Sequence, residues 1–279
     1  MNEILKIGEI NTLAIDRVTA PGIFLKAGDG SDVLLPNQYV TDAMLIGNTL
    51  DVFLYTDSED RPVATTLMPK AKLGEIAFVE VVDVTPIGAF INWGLPKDLF
   101  VPKALQKKPF RIGEHRFIRV ILDAQTNRLV GTEKIGGELS EPPKKLYPNT
   151  PADFIVIART PMGYKVIMDH KYEGMIYHNE IFEKVRIGET KHGYIKQRRG
   201  DGKLDFTLQP VGKAKADNAT EKILIMLKEN GGMLPYNTKS DPDLIQKIFS
   251  MSKKNFKAAL NQLAESGKIT IKENGIYGI

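Results

Sequence analysis

The 279 residues carry 38 Lys and Arg against 34 Asp and Glu, a formal net charge of +4, with 42% hydrophobic content and no cysteine. The absence of thiols excludes disulfides, thiolate chemistry and a cysteine-ligated zinc, and it favours a reducing, cytoplasmic setting. No apolar run approaches the roughly 20 residues of a membrane span, and residues 1–6 lack the basic lead and apolar stretch of a signal peptide.

Charge is unevenly spread. Residues 1–70 carry a net −5, 71–144 carry +2, 145–215 carry +5 and 216–279 carry +2. A polyanion is therefore expected to favour the later three-quarters of the chain.

Three times the same punctuation recurs. Thr19-Ala-Pro-Gly22, Thr85-Pro-Ile-Gly88 and Thr160-Pro-Met-Gly163 are each followed, 28 residues after the threonine, by a second glycine: Gly47, Gly113 and Gly188. An acid stands ten residues after each first glycine, at Asp32, Asp98 and Glu173, and a turn follows about 14 residues after each second one. The starts lie 66 and 75 residues apart, so each copy is a small domain and not a solenoid unit.

In the second copy, residues 76–84, 89–93, 99–101, 117–122 and 129–130 read as five short β-branched or aromatic strands separated by turns. Five strands at that size predict a small closed barrel, which removes its own edges. The predicted modules are 1–68, 73–135 and 151–209, with 136–150 as a Gly- and Pro-rich linker and another joint at 209–215.

Beyond that joint the period changes. Ile223, Leu224 and Leu227 have helical spacing, Asp241 and Pro242 open a second helix, and Ser252 caps a third that stops at Gly267. A hairpin around Asn274-Gly275 follows, so 216–279 read as a winged helix-turn-helix.

The run from Val84 to Ile91, with its Gly-Ala-Phe, and the stretch Glu173-Gly-Met-Ile-Tyr177 resemble the signature of the S-one domain, an RNA-binding OB-fold. Three such modules followed by a winged helix resemble the conserved virulence factor B family over essentially the whole chain. The fold class expected is thus mostly β with an α+β C-terminal domain: three tandem five-stranded OB-fold barrels, then a winged helix. The signature's surface phenylalanine falls on Phe24, Phe90 and Lys165, and its closing histidine on Pro36, Pro102 and Tyr177. Its remaining aromatic, just before the glycine, falls on Pro21, Ile87 and Met162, so no module keeps the full stacking set.

The candidate RNA contacts follow. Strand alternation turns Phe90 outward as a stacking platform and places Trp93 in the core, while Phe24 in the acidic module is read as packing. Arg119 and Arg128 belong to the second module's set. The third module offers Lys165, Lys196, Arg198, Arg199 and Lys203 for phosphates, with Tyr177 and Tyr194 stacking beside the arginines. Lys253, Lys254 and Lys257 stand at the start of the helix in the recognition position.

No phosphate-binding loop or dinucleotide fingerprint is present, and His115, His170, His178 and His192 show no metal-ligand spacing, so neither an enzyme nor a cofactor is expected. The reading is an RNA-binding protein favouring single strands with loose sequence preference; a regulatory role in gene expression is what the resemblance implies. The alternatives are a transcription regulator whose winged helix reads duplex DNA, and an adaptor docked on ribosome or RNA polymerase.

Overall fold

The computed structural model describes residues 4–279, with backbone only at 138 and 213–217. Residues 1–3 of the segment read against a signal peptide, and the charges of Lys213 and Lys215 in the 209–215 joint, lie outside the described residues. The chain forms two compact units, Met1–Glu138 and Leu139–Ile279.

The first unit holds two barrels. β1 (Ile10–Thr19), β2 (Gly22–Lys26), β3 (Asp32–Pro36), β4 (Thr49–Thr56) and β5 (Pro62–Thr65) close in the order β1-β2-β3-β5-β4. The second is built from β6 (Ile76–Val84), β7 (Gly88–Asn92), β8 (Leu99–Pro102), β9 (His115–Leu122) and β10 (Leu129–Thr132). Its end strands β8 and β10 approach one another without ladder bonds. Gly131 sits at that seam, where an added Cβ would lie 2.6 Å from Ile118 and 2.8 Å from Val101.

Why the punctuation recurs is now visible. Each repeat threonine donates its hydroxyl back to the carbonyl of the first glycine: Thr19 to Gly22 at 2.7 Å, Thr85 to Gly88 at 3.0 Å, Thr160 to Gly163 at 3.1 Å. That glycine lies against the third strand, where a Cβ would meet the carbonyl oxygen of Leu35, Val101 or Ile176 at 2.1, 2.5 or 1.9 Å. The second glycine has φ of 89, 82 or 91° and donates its N–H to Ile15, Val81 or Val156, each at 2.8 Å, just where the first strand bulges. The marks are therefore backbone requirements of one fold.

The second unit begins with 139–147, which lie along the third barrel: Ser140 donates its N–H to Lys171, Pro142 is buried and Leu146 packs on the barrel core. The segment read as a linker is thus partly a strap. β11 (Pro151–Thr160), β12 (Gly163–Met168), β13 (Tyr172–Tyr177), β14 (Thr190–Arg198) and β15 (Leu204–Thr207) close as in the first barrel, with β13 and β15 parallel.

α1 (Lys213–Glu229), α2 (Pro242–Phe249) and α3 (Lys253–Glu265) then pack with a three-stranded sheet of β16 (Met233–Leu234), β18 (Gly275–Gly278) and β17 (Ile269–Lys272). Asp241 caps α2 by accepting from the N–H of Asp243 and Leu244, and Ser252 caps α3 by accepting from Asn255. Their core is Ile223, Leu227, Phe249, Phe256, Leu260 and Leu263 with strand residues Leu234 and Ile276. β16 was not foreseen: two residues carry no periodicity. α1 also starts earlier than its apolar spacing indicates.

Candidate nucleic-acid interface

The register of the three barrels superposes their outer faces residue by residue. In the first, Arg17 opposes Phe24 across β1 and β2; in the second, Asp83 opposes Phe90; in the third, Ala158 opposes Lys165. Across β2 and β3, Lys26 opposes Asp32, and in the third barrel Ile167 opposes Glu173 at the same level. One face, read three times, thus carries three different chemistries.

On the first barrel the face is filled from within. The Arg17 guanidinium lies 4.2 Å from the centre of the Phe24 ring and pairs with Asp32 and Asp16, both at 2.6 Å. Phe24 packs, as its acidic surroundings led one to expect.

On the second barrel Phe90 is half-buried, points away from the core residues Ala89 and Ile91, and meets Phe100 with ring centres 5.2 Å apart. The flanking groups are acids. Burial first, then the nearby Asp83 carboxylate, push the Asp98 carboxyl above its ordinary value. Arg119 needs correction as a contact: it is 5% exposed and donates from Nη1 to the Gly74 carbonyl at 2.7 Å, so it braces the barrel. Arg128 pairs with Asp60 of the first barrel. Trp93 is buried as foreseen, but the joint core also holds Phe53 and Tyr55 of the first barrel, the Phe53 ring standing edge-on at 5.8 Å.

On the third barrel each predicted cation already has a carboxylate. Glu173 takes both Lys165 at 2.7 Å and Lys203 at 2.6 Å; Lys196 pairs with Glu180 at 2.7 Å, Arg199 with Asp201 at 2.7 Å, and Arg198 with Glu141 of the strap at 3.3 Å. Burial alone would raise the Glu173 carboxyl, yet the two ammonium groups outweigh it and hold the group below its ordinary value. Tyr177 and Tyr194 do not flank the arginines. Tyr194 opposes Thr207 whereas Arg198 opposes Leu204 at the far end of β15, and Lys203 reaches Glu173, four residues before Tyr177. Four strand residues span roughly 13 Å. Tyr194 instead shares a cleft of about 190 Å³ with Lys222 and Met251 of the C-terminal domain, its ring edge-on to His192 at 5.9 Å.

The C-terminal domain is the contrast. Among the described residues 218–279 there is no ion pair. Lys254 and Lys257 are exposed on the first turns of α3 without a side-chain hydrogen bond, and only Lys253 is engaged, its Nζ donating to the Lys239 carbonyl at 3.5 Å. The wing adds Lys272, 4.7 Å from the Tyr277 ring centre. Three residue-level features escaped sequence reading: Phe100, the Asp83–Asp98 pair, and the pairing state of each cation. The first two were within reach of the repeat register; the third depends on rotamers.

No three His, Asp or Glu among the described residues gather as a metal site, and no helix among them is long and apolar enough to cross a membrane.

Two family models agree with this architecture. A family model described as "S1 domain" matches residues 7–67, and one described as "CvfB-like winged helix domain" matches 221–277. The chain is 30% identical over 282 residues to "Uncharacterized protein YitL" of Bacillus subtilis (strain 168), covering 98% of this chain and 94% of that one. It is 26% identical over 289 residues to "Conserved virulence factor B" of Staphylococcus saprophyticus, covering 96% and 95%. A crystal structure of a "multidomain protein with nucleic acid binding domains" from Streptococcus pneumoniae TIGR4 is 26% identical, with 98% of each chain covered and a TM-score of 0.41. S-one barrels and a winged helix support nucleic-acid binding, and with this domain order and these relatives the chain belongs to the conserved virulence factor B family.

Proposed function

We propose that the protein binds single-stranded RNA in the cytoplasm with loose sequence preference and acts in regulating gene expression, without catalysing a reaction. The observation that carries this reading is the free charge at the start of α3, where Lys254 and Lys257 stand exposed and unpaired beside a helix N-terminus. A phosphate there gains two ammonium groups without displacing a carboxylate from either. The third barrel contributes second. Arg198, Arg199, Lys203, Lys165 and Lys196 can exchange carboxylates for phosphates, but each exchange gives up an ion pair already made. Preference for a single strand rests on the basic third S-one-type barrel preceding the winged helix.

The same two lysines favour a second reading, in which α3 enters the groove of duplex DNA. Competition between a single-stranded RNA and duplex DNA of equal length separates the two. Preference for RNA supports the proposal; preference for duplex, abolished by Lys254→Gln with Lys257→Gln, replaces it. Docking on a ribosome or polymerase remains the reading if neither nucleic acid binds.

A further inference from the structure

The outer face of the second barrel lacks one component that the other two have. In the first barrel the repeat acid Asp32 is paired with Arg17, which also covers Phe24. In the third, Glu173 is paired with Lys165 and Lys203. In the second, the position of Arg17 is taken by Asp83, and Asp98 has neither ion pair nor hydrogen bond. The aromatic remains, as Phe90 with Phe100 beside it.

Phe90, Phe100 and Asp98 line a cleft of about 390 Å³ together with Trp93 and with Tyr55 and Asp60 of the first barrel, and Asp83 stands outside that lining. Two cations, Lys97 and Arg128, also line it, and both already have partners. Lys97 donates to the Thr56 and Asp57 carbonyls at 3.0 and 2.6 Å, and Arg128 pairs with Asp60.

We infer that this cleft is a receptor for an arginine side chain presented by a partner polypeptide, its guanidinium stacking on Phe90 and pairing with Asp98. The first barrel displays the same arrangement with an internal occupant: Arg17 is to Phe24 and Asp32 what the incoming arginine is to Phe90 and Asp98. Local charge disfavours the obvious competitor. A nucleotide stacked on Phe90 would bring its phosphate near the unpaired Asp98, with the Asp83 carboxylate close by, and like charges repel. A guanidinium instead meets the unpaired Asp98 carboxylate in fork geometry and a π-face that suits a planar cation. Ile87, 72% exposed at the rim, offers the partner's flanking residues an apolar contact.

Trp93 is the only tryptophan and lines the cleft, so its emission reports occupancy directly. The full-length protein is titrated with acetyl-Gly-Arg-Gly-amide, and with the same peptide carrying lysine or neutral, isosteric citrulline. The expected result is a saturable change in emission with the arginine peptide, weaker with lysine and absent with citrulline. Asp98→Asn should weaken arginine binding about tenfold, the factor that one charge-assisted hydrogen bond supplies. Asp83→Arg should fill the site from within, as Arg17 does, abolishing peptide binding while raising the melting temperature. If the arginine peptide leaves emission unchanged, or binds Asp98→Asn as well as the parent, the proposal fails. It also fails if single-stranded RNA shifts the emission and Asp98→Asn strengthens that shift, because the occupant is then a nucleobase. RNA binding through α3 is untouched by any of these results.

Discussion

Phe53 of the first barrel stands edge-on to Trp93 of the second, ring centres 5.8 Å apart and planes at 78°. Both are fully buried, within a single cluster that runs from Phe53, Tyr55 and Val63 into Val79, Ile91 and Val101. The two barrels of this unit are therefore one folding block with a shared core. Phe53→Ala should cost about 3–5 kcal/mol through the cavity it leaves. It should also shift Trp93 emission to longer wavelength as water enters. A wild-type melting temperature with unshifted emission would show that the barrels are independent.

The repeat glycines are not equivalent, and alanine should grade them. At Gly163 a Cβ would stand 1.9 Å from the Ile176 carbonyl oxygen, which is backbone and has nowhere to go. At Gly47 the φ of 89° is unfavourable for alanine, but nothing lies within 4 Å. Gly47→Ala should therefore cost on the order of 1 kcal/mol, and Gly163→Ala on the order of 3 kcal/mol or more. Denaturant unfolding measures both, and equal losses would contradict the close-approach argument.

The Glu173 carboxyl is held below its ordinary value by Lys165 and Lys203 despite its partial burial. A depressed carboxylate pKa contributes stability that is present above the unfolded-state value and is lost as pH falls through the folded one. The third barrel should thus lose stability below the ordinary glutamate range, and Glu173→Gln should flatten that acid limb while lowering stability at neutral pH. An unchanged acid limb in the variant would remove Glu173 from this account.

Free and paired cations should differ in what they give to RNA binding. Lys254→Gln with Lys257→Gln should reduce the log–log salt slope by about 1.4, two contacts at ~0.7 each for a single strand. Neutralising Lys196, Arg198, Arg199 and Lys203 should reduce it by less per residue, because Glu180, Glu141, Asp201 and Glu173 already balance them. A steeper loss per residue from the barrel set would place the main contact on the third barrel.

Sequence by itself determined the number of barrels, the spacing of their shared marks and the change to helices after the 209–215 joint. Those features rest on local backbone demands: a threonine hydroxyl closing a turn, a glycine against the Leu35 or Ile176 carbonyl, another with positive φ at a bulge, and the 3.6-residue period of Phe256, Leu260 and Leu263. Alternation alone also turned Phe90 outward. What only the tertiary structure decided is the state of each charge and the neighbour of each ring. Arg119 and Arg128 read alike in sequence, yet one braces Gly74 from inside the barrel and the other meets Asp60 from the preceding domain, 68 positions away. Ion pairs join residues whose separation follows no period, because long side chains reach across strands and loops. A basic run therefore announces its charge locally, while the carboxylates that neutralise it come from elsewhere in the fold.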